Sequence, residues 1–356
     1  MTTTAVAPTN IAVLKYWGKN PAFEDLLVPT KSSLSFTVEG LVTTTTVQAK
    51  KGSGKIDFEL NGKKISPGMK EYEYVGDFLD KVGKFHPFVR KYDYRIASKN
   101  NFPTAAGFAS SASGFAALIK AMAGELQEFA SIKDDDKMLS ALARLGSGSA
   151  ARSIPAKGGF VEWKRGAAFP AGKGDSAEKA MAESCAKTLF PPGHWPDLAI
   201  IYVKVQEHEK KIKSRAGMKA SIETNPLYGA WVDYEEGVMK ERMVEALQRK
   251  DFASLAEMIM KASNSLHQIC LGTYPPIVYL SEASLKIIEA VHKMNEGGIV
   301  AAYTFDAGPN AVVFCEGRNE EAVLAALEGV AGKGALHRTR MGQGARFVPD
   351  HLFRVF

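Results

Sequence analysis

The first fifty residues carry apolar and hydroxyl-bearing side chains in partial alternation, the pattern of half-buried strands. "NIAVLKYW", "SSLSFTVEG" and "LVTTTTVQAK" are rich in β-branched residues and predict strands joined by turns. "GSGKIDFELNGKKI" adds a hairpin, because the Asn61-Gly62 pair accepts the positive φ angles of a tight primed turn. The period then changes. In "EYEYVGDFLDKVGKF" Tyr74, Phe78 and Val82 recur every four residues, which predicts a helix with those side chains on one face. "YDYRIASKN" returns to strand, and "SGFAALIKAMAGELQEFA" is a run of helix formers. "DDKMLSALARL" reads as a short amphipathic helix with an acidic start that suits the helix dipole.

A helix and then a Pro/Gly-rich break follow in "KGDSAEKAMAESCAKTLFPPGHWPD", placing a domain boundary near Pro191 and dividing the chain into 1–190 and 191–356. Beyond it come a strand, "DLAIIYVKV", and helical patterns across 218–270. "EASLKIIEAVHKMNEGG" is a helix with Leu285, Ile288, Val291 and Met294 on one face and Gly297 and Gly298 as its C-cap. A hairpin, "IVAAYTFDAGPNAVVFC", and a helix, "NEEAVLAALEGVA", close the chain. The second half is therefore expected to be α+β, an antiparallel sheet with helices on one side.

At 356 residues the chain is long enough for two cores. Hydrophobic residues at 46% and charged ones at 24% exclude the disordered and fibrous classes. The excess of 45 Lys+Arg over 39 Asp+Glu is spread without a basic block, which favours small anionic ligands over nucleic acid. Cys185, Cys270 and Cys315 lie far apart with no zinc-ligand spacing, as expected in a reducing compartment. No basic-then-apolar leader and no apolar run of about 20 residues is present, so a cytoplasmic protein without a membrane partner is expected.

Two segments are almost bare of side chains. "NFPTAAGFASSASG" lies between a strand and a helix, and "GSGSAARS" follows another helix. Small residues let a backbone approach a phosphate and aim its N–H groups at it, and the Ser110 and Ser111 hydroxyls add donors and contacts for a metal ion. The Gly-Lys-Ser/Thr ending of a Walker loop is missing. The same composition also suits a close-packed strand-to-helix turn, and composition alone leaves both readings open.

"PTAAGFASSASG" resembles the phosphate-binding signature of the GHMP kinase superfamily. With "NIAVLKYWGK", "SSLSFTVEG", "GSGSAARS", "NSLHQICLGTYPPIVYL" and "YTFDAGPNAVVF", in order from about Asn10 to Phe314, the chain resembles the mevalonate diphosphate decarboxylases. The resemblance implies a GHMP kinase fold: an N-terminal domain like the second domain of ribosomal protein S5 and a ferredoxin-like C-terminal domain, with the site between them. It implies phosphorylation of the 3-hydroxyl of mevalonate 5-diphosphate by ATP, then loss of phosphate and CO2 to give isopentenyl diphosphate, in a cytoplasmic homodimer.

By the same resemblance Asp306 is the carboxylate that takes or orients the hydroxyl proton, and Arg152, partnered by the Asn10 amide, holds the substrate carboxylate. Lys15 stabilises charge during transfer. The diphosphate falls to Tyr16, Trp17, Gly18 and Lys19, to the loop Ser147, Gly148, Ser149, Ala150 and Ala151 with Arg152, and to Ser214, Arg215 and Met218. ATP falls to Pro103, Ala106, Gly107, Ala109, Ser110 and Ser111. Mg2+ is expected on the ATP phosphates and waters, with no protein metal cage. His267 is expected to be a packed helix residue and His208 a solvated one.

Three positions depart from the family pattern. Lys31 in "PTKSSLS" stands where Asn is expected, Arg215 replaces Thr, and "RSIPAKGGF" is two residues longer than the usual spacing. A GHMP kinase that stops at phosphorylation is the nearest alternative activity, although it needs no clamp on a carboxylate. An RNA-binding protein built on the S5-like half would need a dense basic or aromatic surface, and the sequence has only scattered Lys and Arg.

Overall fold

A computed structural model describes residues 2–102, 110–205 and 212–353. The chain runs β1 (Thr3–Leu14), β2 (Ser33–Lys51), β3 (Ile56–Leu60), β4 (Lys63–Ile65), α1 (Lys70–Phe85), β5 (Tyr92–Asn100), α2 (Ser110–Glu125) and α3 (Asp136–Arg144). It continues through β6 (Phe160–Trp163), α4 (Ala177–Glu183), β7 (Ala186–Phe190) and β8 (Leu198–Val203). The helices α5 (Ser214–Thr224), α6 (Tyr228–Tyr234), α7 (Lys240–Arg249), α8 (Phe252–Leu271) and α9 (Glu282–Met294) follow. β9 (Ala301–Phe305), β10 (Ala311–Glu316), α10 (Glu320–Ala331), β11 (Leu336–Thr339) and β12 (Arg346–Val348) complete it.

Two sheets form among the described residues. The first has the order β12-β1-β2-β5-β3-β4, with β6 on β2 and β7 on β6; the second is β11-β8-β10-β9. β2 is one continuous strand where the sequence suggested two. It turns through Gly40 at φ 73°, and its two halves pair with different neighbours, Ser33–Phe36 with β6 and Thr43–Lys51 with β5. The Asn61-Gly62 turn has positive φ at both residues, 51° and 77°, as the hairpin requires.

The second sheet is antiparallel throughout, and every residue of β8 and β9 is buried. Helices α8, α9 and α10 pack on it, and the first half of the chain supplies further cover through Phe36 of β2, whose ring lies 5.0 Å from Phe160 and 5.4 Å from Phe314. One apolar cluster therefore runs from Ile11, Val13 and Leu34 into Ile200, Phe305 and Phe314. A separate cluster fills the space between α1, α2, α3 and the first sheet. The chain then crosses back, because β12 pairs with β1.

Two helix faces differ from the expectation. In α1 the buried side chains are Val75, Phe78, Leu79 and Val82, and Tyr74 is exposed. The helix is rolled by one position, so that the i, i+3, i+4, i+7 stripe starting at Val75 faces the core. In α9 Leu285 is exposed while Ser284, Ile287 and Val291 are buried. The cap of α9 is also different. Asn295, not Gly297 or Gly298, closes it: the Asn295 amide donates to Ala301 O at 2.9 Å and accepts from the Val300 and Ala301 N–H groups.

Removing the Phe36 ring opens a cavity at the junction of the two sheets, so Phe36→Ala is expected to cost about 3–5 kcal/mol of unfolding free energy. Leu285→Ala on the exposed face of α9 should stay within about 0.5 kcal/mol. Equilibrium denaturation by urea reads both.

Candidate active site

The site lies where the ends of β1 and β9 meet the turn after α3. Lys15 follows the last residue of β1, and Asp306 follows the last residue of β9. Their side chains form an ion pair at 2.7 Å, with Lys15 Nζ also donating to Ala12 O at 2.9 Å. Lys15 is buried, whereas the Asp306 side chain is 48% exposed, so the carboxylate is the member of the pair that a solute can reach. Burial drives the Lys15 pKa below its ordinary value; Asp306 opposes that shift, and Arg152 adds to it.

Arg152 sits in the short helical turn Gly148–Ser153 and is buried. Its Nε donates to Asn10 Oδ1 at 2.9 Å and one Nη donates to Ser33 Oγ at 2.9 Å. The Asn10 amide in turn donates to Ser153 Oγ at 2.8 Å and Ser149 O at 3.1 Å. Two residues from different strands, Asn10 and Ser33, thus fix one guanidinium plane, and its second Nη is engaged by neither. Burial lowers the Arg152 pKa to about 10, still well above neutrality, so the group is a cation in the working range.

The two small-residue segments come together. Ser111, at the start of α2, places its hydroxyl 3.3 Å from that of Ser147, and Ser147 lies 3.3 Å from Ser149. Tyr16 packs over this turn: a Cβ on Gly148 would come within 2.7 Å of the Tyr16 hydroxyl, which is why the position takes glycine. Burial pushes the Tyr16 phenol up to about 12, so it stays protonated and can donate. Ala150 and Ala151 are buried beneath. Trp17 is buried too, its indole N–H donating to Ser221 of α5 at 2.9 Å, in a cluster with Met218, Tyr228 and Trp231. Gly18 has φ 131° and lies against Tyr228, where any Cβ would collide with the phenol oxygen.

Lys19 is partly buried, and its pKa is lowered first by burial and then by the neighbouring Arg215. Arg215 and Ser214 open α5. The Arg215 guanidinium donates to Gly146 O at 3.4 Å and lies 5.4 Å from the Tyr74 ring, so this residue reaches the start of the same small-residue turn. Pro103, Ala106, Gly107, Ala109 and His208 lie outside the described residues. Among the described residues no three His, Cys, Asp or Glu side chains gather as a metal cage. Nor is any helix there long and apolar enough to cross a membrane.

Several contacts at the site carry no signal in the sequence. Ser33 sits inside an ordinary strand pattern, yet it is a ligand of Arg152. Lys31 is buried and paired with the buried Glu235 at 2.7 Å, a contact 204 residues long. His267, on α8, is buried with its Nε2 lacking a hydrogen-bond partner. Burial pushes its pKa down to about 4, with the nearby Lys15 charge adding to the shift.

A serine-lined turn against the start of a helix, beside a buried cation and a half-exposed carboxylate on this α+β frame, is the arrangement of a GHMP kinase fold enzyme site. The comparisons with known proteins narrow the class. Residues 7–177 match the diphosphomevalonate decarboxylase-like N-terminal domain, and residues 199–345 match the mevalonate 5-diphosphate decarboxylase C-terminal domain. Diphosphomevalonate decarboxylase of Candida albicans is 41% identical over 329 residues, 90% of this chain and 86% of that one. The crystal structure of mevalonate diphosphate decarboxylase from Staphylococcus aureus superposes with a TM-score of 0.85 at 34% identity, covering 98% of both chains. A structure of MDDEF in complex with MVAPP, AMPPCP and magnesium superposes with a TM-score of 0.84 at 35% identity, covering 98% of this chain and 99% of that one. The chain belongs to the diphosphomevalonate decarboxylase family.

The His267 environment predicts a pH effect on stability. Its folded pKa of about 4 lies below its ordinary value of 6.5, so between those values the unfolded chain binds a proton that the folded chain does not. Stability from this group is unchanged above pH 6.5 and is lost as pH falls towards 4. His267→Gln should therefore flatten the fall in urea midpoint between those pH values, while a slope equal to that of the unsubstituted protein would contradict the assignment.

Proposed function

We propose that this enzyme catalyses the ATP-dependent decarboxylation of mevalonate 5-diphosphate to isopentenyl diphosphate. The observation that carries the reading is the Lys15–Asp306 pair set beside an Arg152 guanidinium held in place by Asn10 and Ser33. A kinase for a simple alcohol needs the first and has no use for the second.

The 3-hydroxyl of the substrate is tertiary and a weak nucleophile, so a placed acceptor for its proton matters. Asp306 is that acceptor, half-exposed at the mouth of the site, and the Lys15 ammonium fixes one of its oxygens. The hydroxyl oxygen attacks the γ-phosphorus of ATP and ADP leaves. In the second stage the C–O bond to the new 3-phosphate breaks and phosphate departs with the electron pair. The bond to the carboxylate carbon breaks as well; its electrons form the new double bond, and CO2 is released. Arg152 holds the carboxylate so that the two breaking bonds stay aligned. Positioned charges do most of this work, because no covalent enzyme intermediate is formed.

The diphosphate is held by the Tyr16 hydroxyl, the backbone at Gly18, Lys19, the Ser147–Ala151 turn and the start of α5 at Ser214, Arg215 and Met218. ATP lies along the segment that leads into α2 and ends on Ser110 and Ser111. Mg2+, present with AMPPCP in the MDDEF complex, would be held here on the ATP phosphates, with the Ser110 and Ser111 hydroxyls as the protein groups available to it. When bound, it neutralises charge on the transferring phosphoryl group. A division into 1–190 and 191–356, with β12 of the second part returning to the first sheet, a homodimeric state and a cytoplasmic location complete the proposal.

The test is stoichiometry. With mevalonate 5-diphosphate and ATP, ADP and CO2 should appear in equal amounts, and ADP without CO2 would contradict the reading. Asp306→Asn should lower turnover at least about 1000-fold with little change in diphosphate affinity. Near-normal turnover in that variant would remove Asp306 from the role of proton acceptor.

A further inference from the structure

Lys31 is one of the three positions that depart from the family pattern, and its surroundings are fully built. Its side chain is 1% exposed and that of Glu235 is 0% exposed, with Nζ and Oε2 2.7 Å apart. The ammonium also donates to the backbone oxygen of Lys15 and lies 4.6 Å from the centre of the Trp231 ring. Glu235 is held in turn by Trp231 Nε1 at 3.0 Å and Ser265 Oγ at 2.6 Å. It opens the π-helical turn Glu235–Met239 between α6 and α7, a type of irregularity often found at functional sites.

The next residue repeats the grip. The Glu236 carboxylate accepts from the Ser32 N–H at 2.6 Å and the Ser32 hydroxyl at 3.0 Å, and Lys240 pairs with it at 2.5 Å. Two consecutive acids on the second half of the chain therefore hold two consecutive residues just before β2. Those residues lead directly into Ser33, the ligand of Arg152, while Lys31 itself holds the carbonyl of Lys15. A surface pair would be worth little, but a pair buried to this degree fixes geometry, because its desolvation is compensated only when both charges sit opposite each other.

We infer that Lys31 and Glu235 are positioning residues for the reaction: their buried pair sets the backbone of Lys15 and the start of β2, and so aligns the Lys15–Asp306 pair with Arg152. This rests on the functional reading above. Neither residue touches the reacting groups through the contacts described, so their effect should fall on the rate of the chemical step and leave substrate affinity nearly unchanged. Lys15 also feels Glu235 directly, since that carboxylate raises its pKa against burial. The charged or titratable groups facing Lys15 are Asp306 after β9, Arg152 in the turn after α3, Glu235 in the π-helical turn, Lys31 before β2 and His267 on α8.

The experiment compares Glu235→Gln and the double variant Lys31→Met/Glu235→Gln with the unsubstituted enzyme, following ADP and CO2 together. The double variant leaves no unpaired buried charge, which guards against simple failure to fold. In it kcat should fall about tenfold, with KM for both substrates within about threefold, the signature of lost alignment. In Glu235→Gln the high-pH limb of the kcat profile should move to lower pH, because Lys15 loses a neighbour that favours its charged form. A double variant with unchanged kcat, or with kcat lowered only in proportion to lost substrate affinity, overturns the proposal. So does an unmoved limb in Glu235→Gln. If the unsubstituted enzyme itself releases no CO2, the decarboxylase reading fails and takes this proposal with it; unchanged variants beside an active enzyme overturn this proposal alone.

Discussion

A lysine ammonium buried against one carboxylate, at the seam between two sheets, is the constraint around which the rest is arranged. Lys15 has been taken out of water, and Asp306, the Ala12 carbonyl, the nearby Glu235 charge and the geometry of two strand ends compensate for that. The two partners lie 291 residues apart, so the pair exists only if β1 and β9 end at the same place. Phe36, Phe160 and Phe314 keep them there by packing the first sheet on the second. A pair buried on one side and open on the other also has a direction: the charge that is sealed in is the cation, and the one offered to a ligand is the carboxylate.

Arg152 follows a similar logic with different partners. Asn10 and Ser33 use neutral acceptors to fix a buried guanidinium, so neither of these contacts cancels its charge. The contrast with Lys31 is informative. There the cation is cancelled by Glu235 and serves as a clasp between the halves. Three buried cations thus have three kinds of partner: a reachable carboxylate, a neutral amide with a hydroxyl, and a sealed carboxylate.

Local features of the fold were legible because they are local. The Asn61-Gly62 turn needs only two residues with positive φ, and α2 needs only a run of helix formers. The roll of α1 was not legible, because Tyr74 and Val75 both fit a four-residue period and only the neighbouring sheet selects between them. Asn295 displaced the glycines as the cap of α9 because its amide reaches the strand that follows, a contact invisible to composition. Asn10, Lys15, Arg152 and Asp306 were singled out by resemblance, and the structure adds the bonds among them. Ser33 and Glu235 had no such signal and Lys31 stood out only as a departure from the family pattern, since a serine in a strand and a lysine at a turn are ordinary until their partners far along the chain are known.

The central claim is that the substrate's own 3-hydroxyl oxygen, aimed by Asp306, becomes a phosphate oxygen before carbon dioxide leaves. Turnover of mevalonate 5-diphosphate labelled with oxygen-18 at that hydroxyl tests it most directly. The account predicts that the label is recovered in inorganic phosphate, one atom for each CO2 released. Label recovered in water, with unlabelled phosphate, would mean that the hydroxyl is expelled without phosphoryl transfer and would contradict it.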